Sequence, residues 1–243
     1  MRMPRIYTVQ PLTTGLETEL ETEAAHRLLQ VLRLKPGREL VLFNGDGRDY
    51  RAILVKAAKR SAGIKVLGRS EQEPLFPLAI HLGLAISKSE RMDFAVQKSV
   101  ELGTVSITPL ITEHCVARVA TQRRNNRLTH WRKVAVSACE QSGRRRLPEV
   151  HEIGTLKNWL TDHTGGTGIL LDPAADRSLH QLSPPAHQIS VLVGPEGGLS
   201  ESECELAAQT GFNRVRLGPR VMRAETAPLA AISAIQMLWG DFR

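Results

Sequence analysis

The chain has 243 residues, of which 42% are hydrophobic, and a formal net charge of +7. This length allows one large domain or two smaller ones with separate cores, and the composition argues against a disordered chain. The longest apolar stretch, residues 227–239, is interrupted by polar residues and is shorter than the roughly 20 residues that a membrane span needs. The N-terminal residues lack the apolar segment of a secretory signal, so we expect a cytoplasmic protein.

Residues 1–72 contain short β-prone runs and a single helical period. The runs are Glu39 to Phe43, Asp49 to Val55 and Gly63 to Leu67, and the helical period extends from Thr22 to Leu32. The turn signal at residues 44–47, Asn-Gly-Asp-Gly, predicts a hairpin between the first two runs. We therefore predict a small β-rich barrel or sandwich. Residues 73–77 combine a charge with two prolines, and we interpret them as the interdomain linker.

Residues 78–243 alternate apolar runs with amphipathic segments, which is typical of an α/β sheet with helices on its faces. The predicted strands are Leu78 to Ile86, Val105 to Ile111, Gly168 to Leu171, Ile189 to Val193 and Arg214 to Leu217. The predicted helices are Arg123 to Gln141, Leu156 to His163, Ala227 to Trp239, and one that a capping box at Ser87-Lys88-Ser89-Glu90 opens.

Two loops rich in glycine and proline follow predicted strands. Loop A, Gly194 to Gly198 (GPEGG), precedes a helix that Ser200 and Glu203 open at capping-box spacing. Such loops lie where open α/β sheets bind ligands, and glycine lets the backbone approach a ligand closely. An ordinary tight connection explains the same residues. Loop A lacks the Lys-Ser/Thr of a P-loop, and no G-x-G-x-x-G follows any predicted strand.

Loop B, Leu217 to Thr226 (LGPRVMRAET), leads into the last helix, with Thr226 as the expected cap and Pro228 in the first turn. That helix has only Ser233 and Gln236 as polar members, so we expect it to be buried against the sheet or a second subunit. Arg223 and Glu225 place two opposite charges in loop B. They fit either a functional pair or a solvated ion pair.

Four segments in this order resemble the RsmE family: KSERMDFAVQKSVELG, ACEQSGRRRLPEV, GPEGGLSESE and LGPRVMRAETA. Members are 16S ribosomal RNA (uracil-N3)-methyltransferases of the SPOUT superfamily, and the resemblance covers nearly the whole chain. It implies an α/β fold with an N-terminal PUA-like RNA-binding β-barrel over residues 1–72, a linker over 73–77 and a SPOUT methyltransferase domain with a trefoil knot over 78–243. It also implies S-adenosylmethionine as cofactor, a homodimer, and 16S ribosomal RNA of the small ribosomal subunit as partner.

The cofactor loops of that family, carried over residue by residue, fall at the ends of three predicted strands. The implied cofactor-binding residues are Leu171, Val193, Gly194, Pro195, Glu196, Gly197, Gly198, Leu217, Gly218, Val221, Met222 and Thr226. The chain departs from the family pattern at Met222 and Ala224, where Leu and Thr are more usual. Thr112-Glu113-His114-Cys115 replaces a Glu-Arg-Ser pattern, so the role of His114 in place of arginine is left open.

Methylation at N3 of uracil needs a base, or stabilisation of charge on the carbonyl oxygens, because N3 carries a proton. We hypothesise that Arg223 stabilises the developing anion and that Glu225 accepts the proton, directly or through water. The alternative is that orientation does most of the work and solvent takes the proton.

The candidate RNA surface consists of arginines, since cations gain affinity by releasing counterions from phosphate. Its members are Arg2, Arg5, Arg33, Arg38, Arg123, Arg124, Arg127, Arg144, Arg145 and Arg146. The run at 144–146 is its strongest element, because three adjacent like charges repel one another unless an anion lies nearby. Replacing all three with alanine should reduce RNA affinity and flatten its salt dependence.

Two other functions fit the same residues. A non-catalytic RNA-binding or ribosome-assembly protein would not bind S-adenosylmethionine, although intact Gly197, Gly198 and Glu225 argue against that loss. A ribose 2′-O-methyltransferase of the same superfamily would differ in its product. No metal site is predicted, because the histidines lack ligand spacing. The three cysteines, Cys115, Cys139 and Cys204, are expected to be reduced structural thiols.

Overall fold

The computed structural model describes residues 3–59, 61–115 and 121–242, with side chains except those of residues 89 and 121–123. The chain divides into two compact units. The first comprises Met1–Leu75 and Cys139–Leu147, and the second comprises Phe76–Ala138 and Pro148–Arg243. The short segment Cys139–Leu147 thus belongs with the N-terminal residues, whereas its position in the sequence suggested the second domain.

The first unit is built on a five-stranded sheet. Its elements are β1 (Arg5–Tyr7), β2 (Glu17–Glu19), α1 (Thr22–His26) continued by a π-helical turn (Arg27–Val31), β3 (Glu39–Phe43), β4 (Tyr50–Ala57) and β5 (Ala62–Arg69). The strand order is β1-β3-β4-β5-β2, in which β1 runs parallel to β3 and the other pairs are antiparallel. The predicted hairpin between β3 and β4 is confirmed.

The core of the first unit lies between this sheet and α1. Leu40 and Leu42 of β3, on either side of the less buried Val41, pack in one cluster with Ala25 and with Leu28 of the π-helical turn. Each leucine side chain buried in this way contributes about 2 kcal/mol to folding. The buried side chains of β3 and α1 therefore form one apolar layer.

The second unit is a parallel sheet with helices. Its elements are β6 (Ala79–Ala85), α2 (Ser89–Glu101), β7 (Ser106–Ile111), α3 (Thr121–Ser142, which continues into the first unit), β8 (Glu149–Val150), β9 (Gly154–Thr155), α4 (Leu156–Asp162), β10 (Thr167–Leu171), β11 (Gln188–Val193), α5 (Glu201–Gln209), β12 (Phe212–Val215) and α6 (Thr226–Trp239). The strand order is β12-β10-β11-β6-β7-β8, and β9 pairs with β7.

Both faces of this sheet are covered. Helices α4 and α5 bury Trp159, Leu160 and Ala207 in one cluster with Leu192 of β11. Helix α6 contacts β11 and packs against α2. Every residue of β11 after Gln188 is buried, as expected for a parallel strand between two helical layers.

The helix that follows β6 differs from the sequence prediction at its start. The capping box at residues 87–90 is wrong, because α2 begins at Ser89 after Lys88, and no side chain caps it. Ser87 is buried, and the amide of Ile86 still bonds to the Leu110 carbonyl oxygen beside β7, so the strand geometry extends too far for Ser87 to be the cap.

The start of α6 also differs. Thr226 is the first helical residue rather than the cap, because the preceding Glu225 already has helical backbone angles. By contrast, the capping box of Ser200 and Glu203 at the start of α5 is confirmed. Strand β12 ends at Val215, two residues before the predicted end, so Leu217 belongs wholly to loop B.

Loops A and B follow β11 and β12, which are consecutive in the chain but not neighbours in the sheet. Strand β10 lies between them and pairs in parallel with both. The carboxyl ends of β12, β10 and β11 therefore meet at one edge, and the segment after β10 becomes a third wall between the two loops.

Candidate active site

A cavity of about 420 Å³ lies at this edge of the sheet. Its walls are the end of β10 with the two residues after it, residues 193–196, 198 and 199 around loop A, and residues 217, 218 and 220–224 of loop B. Arg91 of α2, Cys204 of α5, Val215 of β12 and Ala227 of α6 complete the lining. The volume is in the range of sites that take small molecules, and the position is where open α/β sheets bind them.

Loop A is tight, and two of its positions favour glycine for steric reasons. Gly198 has φ +72°, and its amide donates to the Pro195 carbonyl oxygen at 2.9 Å. At Gly194 a Cβ would lie 3.0 Å from the amide nitrogen of Leu199. The loop then enters α5, where the Ser200 hydroxyl accepts from the Glu203 amide and the Glu203 carboxylate accepts from the Ser200 amide at 3.0 Å.

Loop B turns twice before α6. Gly218 has φ +79°, and at the other end the amides of Thr226 and Ala227 both donate to the Arg223 carbonyl oxygen. Val221 is exposed at the cavity, while Met222 is half-buried in its wall. Loop B therefore presents backbone groups and apolar side chains to the cavity.

The segment after β10 supplies Asp172, which sequence reasoning missed. Its Oδ2 accepts from Arg214 Nε at 2.8 Å and its Oδ1 from the Ala174 amide at 2.9 Å. The available signal was a carboxylate directly after a buried strand, at the carboxyl end where ligands bind. The order of the strands was needed to bring it beside loops A and B.

Arg91 connects loop A and the residue before α6, and it too was missed. Its Nη1 donates to Glu196 Oε1 at 3.0 Å, and its Nε lies 3.9 Å from Glu225 Oε1. Burial alone would raise the pKa of Glu196, but hydrogen bonds from backbone amides, including that of Lys88, and the charge of Arg91 hold that pKa below its ordinary value. Glu225 Oε2 is buried and has no hydrogen-bond partner among the described residues.

Most of the residues expected to bind a cofactor line this cavity. They are Leu171, Val193, Gly194, Pro195, Glu196, Gly198, Leu217, Gly218, Val221 and Met222, and Arg223 lines it as well. Gly197, Glu225 and Thr226 are outside the lining. Thr226 is exposed at the first position of α6. Gly197 instead faces His114, whose Cβ lies 3.1 Å from the position a Cβ would take there.

His114 supports loop A from outside the cavity. Its Nδ1 is 3.2 Å from the Gly197 carbonyl oxygen and 3.3 Å from that of Gly198. Because carbonyl oxygens only accept, Nδ1 carries the proton that they share. The amide of Glu113 donates to Glu203 Oε1 at 2.9 Å, which links the segment after β7 to α5.

The arginine run at 144–146 lies in the first unit with carboxylates of its own. Arg145 Nε donates to Asp49 Oδ2 at 3.2 Å, and the Glu73 carboxylate accepts from the amides of Arg145 and Arg146. Arg144 is buried. A carboxylate distant in sequence, Asp49, thus lies beside the Arg145 guanidinium, while Glu73 accepts from the main chain of the run. RNA binding by residues 144–146 stays a prediction.

Arg5 is also engaged inside the first unit. Its guanidinium donates to Asp49 Oδ1 at 2.5 Å and to the Cys139 carbonyl oxygen at 2.7 Å, and its side chain is 8% exposed. Arg33 and Arg38 are exposed, and with Lys35 they line a shallow hollow of about 750 Å³. Arg124 and Arg127 of α3 are half-buried, whereas Arg2 and the side chain of Arg123 lie outside the described residues.

Within the part of the chain that the structure describes, no group of His, Cys, Asp and Glu side chains could hold a metal ion. None of the described helices is long and apolar enough to cross a membrane. Cys139 and Cys204 are buried, Cys115 is half-buried, and all three are free thiols. Burial raises the pKa of Cys139 to about 11.

Comparisons with known proteins agree with this architecture. A family model described as an RNA methyltransferase domain matches residues 74–236, and one described as an RNA methyltransferase PUA domain matches residues 20–67. Ribosomal RNA small subunit methyltransferase E of Buchnera aphidicola (Schizaphis graminum) is 34% identical over 241 residues, which cover 99% of this chain and 98% of that protein. The protein of the same name from Synechocystis is 32% identical, covering 90% of this chain and 72% of the relative.

Two solved structures are similar over their full length. One, described as a methyltransferase from Legionella pneumophila in complex with the cofactor SAM, is 35% identical with a TM-score of 0.96, and all of both chains is covered. The other is a ribosomal RNA small subunit methyltransferase E from Neisseria gonorrhoeae bound to S-adenosyl methionine. It is 39% identical with a TM-score of 0.93, again over all of both chains.

Proposed function

We propose that this chain, which belongs to the ribosomal RNA small subunit methyltransferase E family of RNA methyltransferases, transfers a methyl group from S-adenosylmethionine to N3 of a uridine in 16S ribosomal RNA. The observation that carries the proposal is the cavity at the ends of β12, β10 and β11. Loops A and B, which resemble the family's cofactor loops, form opposite walls of one space, with Arg223 on its lining.

The residues around the cavity fit S-adenosylmethionine. Glycines at 194, 198 and 218 open the backbone for close contact, while Leu170, Leu199 and Val215 give an apolar surface for adenine. When bound, the cofactor supplies an electrophilic methyl group. The chain's own part is to hold that group beside the RNA base and to exclude water.

Arg223 and Glu225 are proposed to act on the base. Arg223 is exposed on the cavity lining, where its charge can stabilise the anion that develops on the uracil carbonyl oxygens. Glu225 accepts the N3 proton, directly or through water, and its buried Oε2 still lacks a donor among the described residues. An unsatisfied buried carboxylate oxygen is costly, which favours a role in binding or catalysis.

Single-turnover methylation of small ribosomal subunits tests these roles. Glu225→Gln and Arg223→Ala should each lower the rate at saturating cofactor and RNA by roughly 100-fold, as for removal of a general base or an anion-stabilising group. Glu205→Gln, an exposed residue of α5 outside the cavity, is the matched control and should keep the parental rate. If both variants keep the parental rate, the proposed roles are wrong, and the alternative that solvent accepts the N3 proton is favoured.

Mass spectrometry of nucleosides from the methylated RNA identifies the product. Methyl on the uracil base supports the proposal, and methyl on ribose would make the chain a 2′-O-methyltransferase. Calorimetric titration with S-adenosylmethionine separates both from a non-catalytic RNA-binding protein, which would not bind the cofactor. Naked 16S RNA and assembled subunits are compared as substrates in the same assay.

For RNA binding we propose the first unit, as a PUA-like barrel, together with α3. The hollow lined by Arg33, Lys35 and Arg38 is concave and basic, and Arg124 and Arg127 add positive charge along α3. Replacing Arg33 and Arg38 with alanine should weaken RNA binding and reduce the salt slope by about 2. An unchanged slope would remove the hollow from the interface.

For the second unit we propose a trefoil knot and a homodimer. Strand β11 lies between β6 and β10, both of which precede it in the chain, a placement compatible with a threaded C-terminal segment. Met237 is 61% exposed at the end of α6, and the apolar Leu238, Phe242 and Phe94 are exposed as well. Light scattering should give twice the chain mass, and Met237→Glu should reduce it to one chain.

A further inference from the structure

Arg91 of α2 contacts two carboxylates, that of Glu196 in loop A and that of Glu225, the residue before α6. Its Nη1 donates to Glu196 Oε1 at 3.0 Å, and its Nε is 3.9 Å from Glu225 Oε1. The exposed fractions of the Arg91, Glu196 and Glu225 side chains are 35%, 20% and 15%, so Glu225 is the most buried of the three. Arg91 itself lines the cavity.

The two contacts of Arg91 differ in kind. Glu196 accepts a hydrogen bond from Arg91 at 3.0 Å and a longer one from the backbone amide of Lys88 at 3.4 Å. Glu225 is held only by charge, because 3.9 Å is an ion-pair distance and too long for a hydrogen bond. Among the described residues, Arg91 makes the only ion pair with Glu225.

Arginine suits this position because its planar guanidinium carries five donors and stays charged. It can reach two carboxylates at once, whereas the compact ammonium of lysine acts as a single point charge. The other charged side chains on the cavity lining, Asp172, Arg220 and Arg223, form no ion pair with Glu196 or Glu225 among the described residues.

We propose that Arg91 is a positioning residue that links Glu196 of loop A to Glu225, so that cofactor binding depends on Arg91 through Glu196 and methyl transfer depends on it through Glu225. The second half rests on the proposed function of Glu225 as proton acceptor. In this arrangement Arg91, which fixes loop A through Glu196, also fixes the orientation of the Glu225 carboxylate.

Double-mutant cycles test the two links separately. Arg91→Met should weaken S-adenosylmethionine binding by roughly three- to tenfold in calorimetry, and should slow single-turnover methylation by a similar factor at saturating cofactor and RNA. In an E196Q background, R91M should leave the dissociation constant unchanged. In an E225Q background, it should leave the rate unchanged, because the partner through which it acts is already lost.

Lys98→Met is the matched control. Lys98 lies on the same helix, is 35% exposed like Arg91, and pairs with Glu101 away from the cavity. It should bind cofactor and methylate RNA as the parent does. Arg91→Lys should recover part of the affinity for cofactor and little of the rate, since an ammonium cannot span both carboxylates. Circular dichroism confirms that each variant is folded.

The outcomes separate this inference from the proposed function. If E225Q is slow but R91M slows it further by the full factor, and the effects on binding are also additive, Arg91 acts alone and the inference is overturned. If E225Q is as fast as the parent, the role of Glu225 as proton acceptor fails, together with the second link. If R91M weakens RNA binding and leaves the saturated rate and cofactor affinity intact, Arg91 is an RNA contact instead.

Discussion

Gly194→Ala probes how closely loop A is built around the cavity. The added carbon would lie 3.0 Å from the amide nitrogen of Leu199 and 3.1 Å from the carbonyl carbon of Gly198. Both are backbone atoms, so no side chain can rotate away and the loop must open by a few tenths of an ångström. Overpacking of this kind costs about 1–3 kcal/mol. For a chain of this size, Tm should fall by roughly 3 °C for each kcal/mol.

The same change should weaken cofactor binding, because residues 193–196, 198 and 199 form one wall of the cavity. We expect the dissociation constant for S-adenosylmethionine to rise about tenfold, which corresponds to about 1.4 kcal/mol. Calorimetric titration measures it, and thermal unfolding measures Tm. Gly165→Ala is the control, since its Cβ would meet only Gln188 Nε2 at an ordinary 3.9 Å. Parental affinity and Tm for Gly194→Ala would refute the reasoning.

Three further results are expected. Burial and the charges of two neighbouring histidines lower the pKa of His81, so the folded state favours its neutral form. The contribution of His81 to stability should therefore be complete above pH 6.5 and fall as the pH drops below it. The free energy of unfolding in urea should differ less between pH 7.5 and pH 5.5 for His81→Asn than for the parent. Cys139, with its pKa raised to about 11, should resist iodoacetamide until the protein unfolds, as followed by mass spectrometry. Replacing Arg144, Arg145 and Arg146 with alanine should lower the free energy of unfolding by about 2 kcal/mol and flatten the salt slope of RNA binding by less than about 3, since the guanidinium of Arg145 already pairs with the Asp49 carboxylate. A slope flattened by the full 3 in filter binding would contradict this pairing.

Local features of the fold could be predicted because their causes are local. The hairpin of β3 and β4 follows from the Asn-Gly-Asp-Gly turn and the alternation on either side of it. The capping box at Ser200 and Glu203 depends on two side chains three residues apart. Each of these signals is complete within about ten residues, and here the tertiary structure leaves it intact, unlike the capping box predicted at residues 87–90.

Features that depend on distant parts of the chain could not be predicted. The insertion of β10 between β11 and β12 is decided by pairing across the sheet, and it is this insertion that brings Asp172 to the cavity. The carboxylates that contact the 144–146 run are more than 70 residues away in sequence: Asp49 accepts from the Arg145 guanidinium, and Glu73 accepts from the backbone amides of Arg145 and Arg146. A sequence pattern that covers only the run cannot indicate them.

The pairing of Glu225 argues against a solvated ion pair between the two charges of loop B. A solvated ion pair between Arg223 and Glu225 would leave neither free to act. Glu225 instead pairs with Arg91 from another helix, and its second oxygen is buried without a partner among the described residues. Arg223 forms no ion pair within the same part of the chain and stays exposed on the cavity lining. Since Glu225 pairs with Arg91 and not with Arg223, the two roles proposed for loop B, anion stabilisation by Arg223 and proton acceptance by Glu225, do not compete for one ion pair.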